Sequence, residues 1–364
     1  MRITVAAGTR TDLLAVSAVV AALRGAGHEV RVIGPQVDQR SVGPELAAVL
    51  VAPHVTWEPD EDAARIRALA VEDLESAPPE VALVAGCSGV VTALANAAQR
   101  RGIGVVQLEA GIRSFDATSS AEANRRALTS LATMHLAPTS TAASSLAVEG
   151  VSPDRVRVVG NARVDVLVAS RVARVPLVDR RGTLFAARTA RTADRDRLDD
   201  LVRLLPWLAG AAGPVTLLLH ARTKAWLEQA GLYEGVAALL GVRIAHSLPY
   251  DAVLRAVAAS ELLVTDAGEL QEEASFFGVP TVVLRSSTSR TESVNAGISA
   301  LAAGLAPGDV LEAVARLGDR RERARIDGLP CLYGDGRTAG RVVEVLSESD
   351  VRRRLVPGGE LASK

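Results

Sequence analysis

Short β-rich apolar runs separated by helical stretches constrain this chain more than any other feature. Arg2–Ala7, Glu29–Ile33, Val81–Ala85, Gly104–Leu108, His135–Ala137 and Val156–Val159 read as strands. Helices are predicted over Leu13–Gly25, Val90–Arg101 and from about Ala121 to Thr133. The pattern restarts after Ala169, with strands expected at Thr183–Ala186, Val215–Leu219, Val242–Ile244, Leu262–Thr265 and Thr281–Leu284. Strands that rejoin one sheet through helices use right-handed crossovers, so the alternation predicts an α/β protein with parallel sheets. A single core stops growing at about 250–300 residues, and the chain has 364. Two doubly wound, Rossmann-like domains are therefore expected, over residues 1–168 and 169–364 and joined by Ala169–Arg181. The final helix is a candidate to pack back onto the first.

Charge excludes several function classes. The chain carries 41 basic and 42 acidic residues, a formal net charge of -1, which argues against nucleic-acid or membrane-surface partners. Cys87 and Cys331 are too few and too distant for a zinc site or a disulfide framework. His28, His54, His135 and His246 show no cluster spacing and read as structural. No run of about 18 apolar residues occurs, and the opening run Met1–Gly8 is too short for a signal peptide. A reduced, cytoplasmic setting is expected.

In open parallel sheets ligands bind beyond the carboxyl ends of strands. The loops that matter therefore follow Ala7, Ala85, Leu108, Ala186, Leu219, Thr265 and Leu284. Thr265-Asp266-Ala267-Gly268-Glu269-Leu270-Gln271-Glu272-Glu273 reads as a strand end, a glycine turn and a helix start. Such a turn offers backbone N–H groups and the positive end of a helix to an anion. It is equally an ordinary turn capped by Asp266.

The loops taken together resemble the non-hydrolysing UDP-N-acetylglucosamine 2-epimerases. The 265–273 run is similar to T-D-S-G-G-x-Q-E-E, and Arg285–Glu292 to R-x-x-T-E-R-P-E. Gly8-Thr9-Arg10 resembles G-T-R-P-E, Glu109-Ala110-Gly111-Ile112-Arg113 resembles E-A-G-L-R, and Glu122-Ala123-Asn124-Arg125 resembles E-E-A-N-R. Gly160-Asn161 with Val164-Asp165 resembles G-N-T-V-I-D, and Tyr333-Gly334-Asp335-Gly336 resembles Y-G-D-G. The resemblance implies the GT-B fold, two Rossmann-like domains facing a cleft, with UDP on the C-terminal side. It implies that Ala267, Gly268 and neighbouring N–H groups hold the diphosphate and that Glu273 accepts hydrogen bonds from the ribose hydroxyls. Arg10, Arg125 and Arg290 would face the nucleotide sugar or brace its site.

Departures from the pattern concentrate in the chemistry. Removing the C2 proton of a sugar needs positioned acid–base groups, each contributing about 10²–10⁴-fold. The family's strand-end aspartate is Cys87, the first glutamate of its P-E-E-A-N-R is Ala121, its T-G-H-R-R histidine is Arg188, and its first-helix lysine is Ala15. Of the acid–base positions only Glu109 matches. Cys87 is weighed as a thiolate nucleophile against an ordinary small buried cysteine. Glu269 replaces a glycine of the phosphate loop, so it must turn away from phosphate, meet a cation, or contact a sugar hydroxyl. His220, after a strand end, is weighed as a general acid against a wall or capping residue. The expected function is glycosyl transfer from a UDP-sugar to a small acceptor, with Glu109, Arg188 and His220 as the catalytic set. A 2-epimerase with a rebuilt site and a catalytically silent UDP-sugar binder are the alternatives. No cofactor or metal is called for, and a homodimer is expected.

Overall fold

The computed structural model describes residues 1–58, 61–187, 195–303, 305 and 307–356. The chain divides into two compact units, Met1–Ser170 with Tyr333–Lys364, and Arg171–Leu332. The segment from Tyr333 onward, assigned from the sequence to the second half, thus groups with the first.

The first unit is a seven-stranded parallel sheet in the order β3-β2-β1-β4-β5-β6-β7. Its strands are β1 (Arg2–Ala7), β2 (Glu29–Pro35), β3 (Val55–Trp57), β4 (Val81–Ala85), β5 (Gly104–Leu108), β6 (Met134–Ala137) and β7 (Val156–Val158). The central strands are buried on both faces, which is why they read as unbroken apolar runs. Ile3, Val5 and Ala7 meet Leu13, Val16, Val20 and Leu23 of the helix Arg10–Gly25 on one side. Ala6, Ala82 and Val84 meet Val91, Leu94 and Ala98 of the helix Gly89–Arg100 on the other. Each fully buried leucine here contributes about 2 kcal/mol by leaving water. The second unit is a six-stranded parallel sheet in the order β10-β9-β8-β11-β12-β13. Its strands are β8 (Thr183–Ala186), β9 (Val215–Leu219), β10 (Val242–His246), β11 (Leu262–Thr265), β12 (Thr281–Val283) and β13 (Ser299–Leu301). Phe185, Leu217, Val264 and Val282 pack with Leu201, Leu204, Leu205 and Leu208 of the helix Arg195–Ala212. The edge strands β3 and β13 have no counterpart in the sequence reading. Each is three residues long, too short to carry a period.

Two family-like motifs turn out to be fasteners within the first unit. The helix Thr338–Ser347 receives no cap from its own Arg337. Its first N–H groups, of Thr338 and Ala339, donate instead to the buried Asp165 carboxylate at 3.1 and 2.8 Å. A carboxylate at a helix start contributes about 1 kcal/mol. Arg341 forks onto Asp335 with two bonds of 2.7 Å and holds that carboxyl down at about 2. The helix Ser349–Leu355 completes the return, with Val351 and Leu355 in the core beside β5. Among the described residues no helix is long and apolar enough to cross a membrane.

His135 on β6 is fully buried, and neither ring nitrogen has a hydrogen-bond partner among the described residues. Burial, aided by the Arg155 and Arg113 guanidiniums, lowers its pKa to about 4. An unfolded histidine binds its proton near 6.5. Between those values the unfolded chain therefore holds more protons, and stability rises with pH. This single group removes up to about 3 kcal/mol as pH falls from 7 to 4. In thermal melts across that range, His135→Leu is expected to flatten the acid decline relative to the unaltered protein. Parallel curves would refute the assignment.

Candidate functional site

In the second unit the strand order reverses between β8 and β11, so the two strand ends open a crevice where a ligand can sit. The Thr265 hydroxyl ties those ends together, donating to the Ala186 carbonyl at 2.6 Å and accepting the Ala267 N–H at 3.0 Å. The helix Gly268–Phe277 then starts from Ala267 without any side-chain cap. Its first-turn N–H groups have no intrahelical acceptor, and the helix dipole adds partial positive charge there. A Cβ on Gly268 would lie 2.9 Å from Arg290 Nη1 and 3.0 Å from its Cζ, so only glycine lets the guanidinium approach this closely. Arg290 Nε donates to Glu272 at 2.8 Å and Nη1 to the Ser289 hydroxyl at 2.6 Å. The Thr288 hydroxyl donates to Gln271 at 2.8 Å and accepts the Arg290 N–H at 3.2 Å, stitching this loop to the same helix. A helix start and a guanidinium thus converge, which is the chemistry of an anion site. Glu269 lies half-buried in the helix's first turn. Glu273 is buried and accepts the Tyr250 hydroxyl at 2.6 Å. The sequence reading passed over Tyr250, whose partner lies 23 residues away with no local pattern to mark it.

In the first unit the loops after β1, β4 and β5 carry the polar groups. Thr9 caps the helix Arg10–Gly25, accepting the Asp12 N–H at 3.2 Å and donating its hydroxyl proton to Asp12 Oδ2 at 2.7 Å. Arg10, the first residue of that helix, is exposed. Gly86 has φ +82°, and a Cβ there would collide with the Asp12 carboxylate. Glu109 follows β5 with φ 57°, the left-handed region that glycine favours. Holding a glutamate there costs about 1–3 kcal/mol. Its Oε1 lies 3.4 Å from Arg163 Nε, and Arg163 Nη2 lies 3.1 Å from Asp12 Oδ1.

Two arginines nearer to Glu109 in sequence, Arg113 and Arg125, pair elsewhere. Arg113 instead forks onto Glu149 with two bonds of 2.7 Å and donates to Thr129. Arg125 lies 3.5 Å from Glu122. The buried Glu122 accepts the Ser114 N–H at 2.8 Å and hydroxyl at 3.1 Å, so it shapes the loop after β5. The partner that sequence reasoning missed is Arg163, the one cation inside the run Gly160–Asp165, where the family pattern has valine. Cys87 is half-buried, and its carbonyl accepts the Asn124 side-chain amide at 2.8 Å. Ala121 lies in the first turn of the helix Ser120–Leu131. His220 is exposed, and its carbonyl accepts the Lys224 N–H at 2.9 Å. Arg188 lies outside the described residues. Among the described residues no three His, Cys, Asp or Glu side chains gather as a metal ion requires.

Two parallel-sheet units with polar groups collected at strand ends place the chain in the two-domain, Rossmann-like α/β class of GT-B type. The chain belongs to the UDP-N-acetylglucosamine 2-epimerase family, whose model matches residues 62–347. It is 30% identical to a UDP-2,3-diacetamido-2,3-dideoxy-D-glucuronate 2-epimerase of Pseudomonas aeruginosa over 277 residues, 74% of this chain and 75% of that one. It is 29% identical to a UDP-N-acetylglucosamine 2-epimerase of Methanococcus maripaludis over 252 residues, 66% and 69% of the two chains. In fold it is similar to the Methanocaldococcus jannaschii UDP-GlcNAc 2-epimerase solved in complex with UDP-GlcNAc and UDP, with a TM-score of 0.82 and 24% identity over 95% of this chain and 99% of that one. These relatives are 2-epimerases of UDP-sugars, which corrects the expectation of glycosyl transfer to a small acceptor. That expectation took the substitutions at Cys87, Ala121 and Arg188 as loss of the family reaction.

The Arg290–Glu272 pair is nearly dry, with side chains 8% and 1% exposed. Arg290→Met strands a buried carboxylate and is expected to cost about 3 kcal/mol or more in urea unfolding. Adding Glu272→Met should recover most of that loss. An unchanged midpoint in the single variant would show that the pair is dispensable.

Proposed function

We propose that this protein is a 2-epimerase acting on a UDP-linked 2-acetamido sugar. The observation that carries the reading is Glu109, a carboxylate kept at a strand end at the cost of backbone strain and paired to Arg163, in a chain whose relatives are 2-epimerases. In this reading a base removes the proton at C2 of the sugar. The C1–O bond breaks, and its electron pair leaves on the β-phosphate oxygen of UDP. UDP then adds back at C1 as a proton returns to the other face of C2. Glu109 serves as an acid–base group at the sugar.

The helix start at Ala267 and Gly268, with Arg290 against it, supports the diphosphate and the charge that grows on it as the bond breaks. Glu273 takes the ribose hydroxyls, with the Tyr250 hydroxyl orienting its carboxylate. A carboxylate about 4 Å from phosphate costs on the order of 4 kcal/mol at an effective dielectric near 20. Glu269 is therefore assigned to a sugar hydroxyl. Arg10, Arg125 and Arg188 are proposed as phosphate or sugar contacts and His220 as a general acid. A homodimer and a cytoplasmic location belong to the same reading.

Incubation in deuterated buffer with UDP-GlcNAc and with a UDP-2,3-diacetamido sugar tests the reaction. Deuterium is expected at C2 of at least one of them. Glu109→Gln should lower that exchange by about 10²-fold with UDP affinity retained, the usual effect of losing an acid–base group. Glu273→Ala should weaken UDP binding by about 10-fold in calorimetry, the loss of a charge-assisted hydrogen bond. UDP binding without any C2 exchange would leave a nucleotide-sugar binder and remove the epimerase.

A further inference from the structure

We infer that Arg163 is a positioning residue of the first unit's site, fixing the Glu109 carboxylate for proton transfer while Asp12 anchors its other arm. The inference rests on the epimerase reading above. Three strand-end loops and two helices, Arg10–Gly25 and Ala162–Ala169, supply the parts. Asn161 caps the helix Ala162–Ala169, and its side-chain oxygen takes the Arg163 N–H at 2.9 Å, so the backbone that carries Arg163 is set. Asp12 is held by the Thr9 hydroxyl and lies against Gly86, where there is no space for a Cβ. Arg163 reaches from that fixed carboxylate to Glu109, with the three side chains only 11%, 7% and 10% exposed.

The arrangement has a direction. Asp12 is the anchor, the guanidinium is the arm, and Glu109 is the group held out at the end of β5. Nη2 donates to Asp12 at 3.1 Å, while Nε faces Glu109 Oε1 at 3.4 Å as an ion pair outside hydrogen-bond geometry, so one planar cation lies in reach of both carboxylates. Without it, two acidic groups of low exposure would repel each other across the same space. The backbone points the same way. Gly86 and Gly111 take the left-handed turns beside the site with φ of +82° each, whereas Glu109 takes its own with a side chain. Glycine would make that turn without the strain that a glutamate bears.

Arg163→Val and Arg163→Lys separate a positioning role from a merely structural one. C2 deuterium incorporation, KM, UDP affinity and melting are measured for each. The valine variant is expected to lose about 10²-fold in kcat with KM and UDP affinity within about 3-fold, because the interaction acts on the reacting group and not on binding. The lysine variant should regain about 10-fold of that loss, since an ammonium keeps the charge but cannot fork between two carboxylates. Asp12→Asn, which keeps the shape of the anchor, should lower kcat by about 10-fold and keeps the inference testable if the valine variant does not fold. Turnover at the unaltered level in Arg163→Val or in Asp12→Asn overturns it. So does a loss that lysine does not restore and that tracks melting in both Arg163 variants. Absence of exchange in the unaltered protein sinks the epimerase reading and this inference with it. Equal exchange in the unaltered and valine proteins sinks this inference alone.

Discussion

A parallel strand buried on both faces has no side on which to carry polar chemistry, so it must be spent at the strand's end. β1, β4 and β5 are apolar nearly throughout and then release Thr9, Gly86, Cys87 and Glu109 within a residue or two of their last ladder pairing. β11 ends on Thr265 itself and is followed within three residues by Ala267 and Gly268. The glycines of these turns follow from that crowding. Gly86 yields space to the Asp12 carboxylate and Gly268 to the Arg290 guanidinium, so each loop is shaped around a charged group from another element.

Two kinds of charge result. In the second unit the positive ends are collected, a helix start and a guanidinium, while the buried Glu272 balances Arg290 from behind. In the first unit two carboxylates share one guanidinium. The first arrangement attracts an anion. The second keeps a carboxylate in a defined place, the group to which the proposed 2-epimerase reading gives the acid–base role.

The strand ends were legible in the sequence because burial on both faces writes itself as uninterrupted Val, Leu and Ala. The turn into the helix at Gly268 was legible because Gly268 and Gln271 are local to one another and to the strand end. Partnerships across the fold were not. Arg113, four residues after Glu109, was a natural partner by proximity, yet it binds Glu149 because the loop after β5 turns it toward the helix Ser140–Val148. Arg163 is 54 positions away from Glu109 and is brought near by the sheet alone. Asp165 and Asp335, which helped carry the family resemblance, act in the fold as fasteners, one a capping carboxylate and the other half of a forked ion pair, and nothing local in the sequence marks either partnership. Function went astray because missing acid–base groups were counted as a lost reaction, whereas the relatives of this chain are 2-epimerases.

The Asp165 cap has a consequence for how the protein is made. The chain leaves the first unit at Ser170 and re-enters it at Tyr333, so the whole second unit is an insertion between two parts of one body. A ribosome releases β1 to β7 long before the helix that Asp165 must cap, and 162 residues of another unit emerge in between. Until Thr338 arrives, the flank of the sheet reserved for Val342, Val345 and Leu346 stays uncovered. The first unit to begin folding is therefore the last to finish. A chain that ends before Tyr333 lacks the segment that completes its first unit.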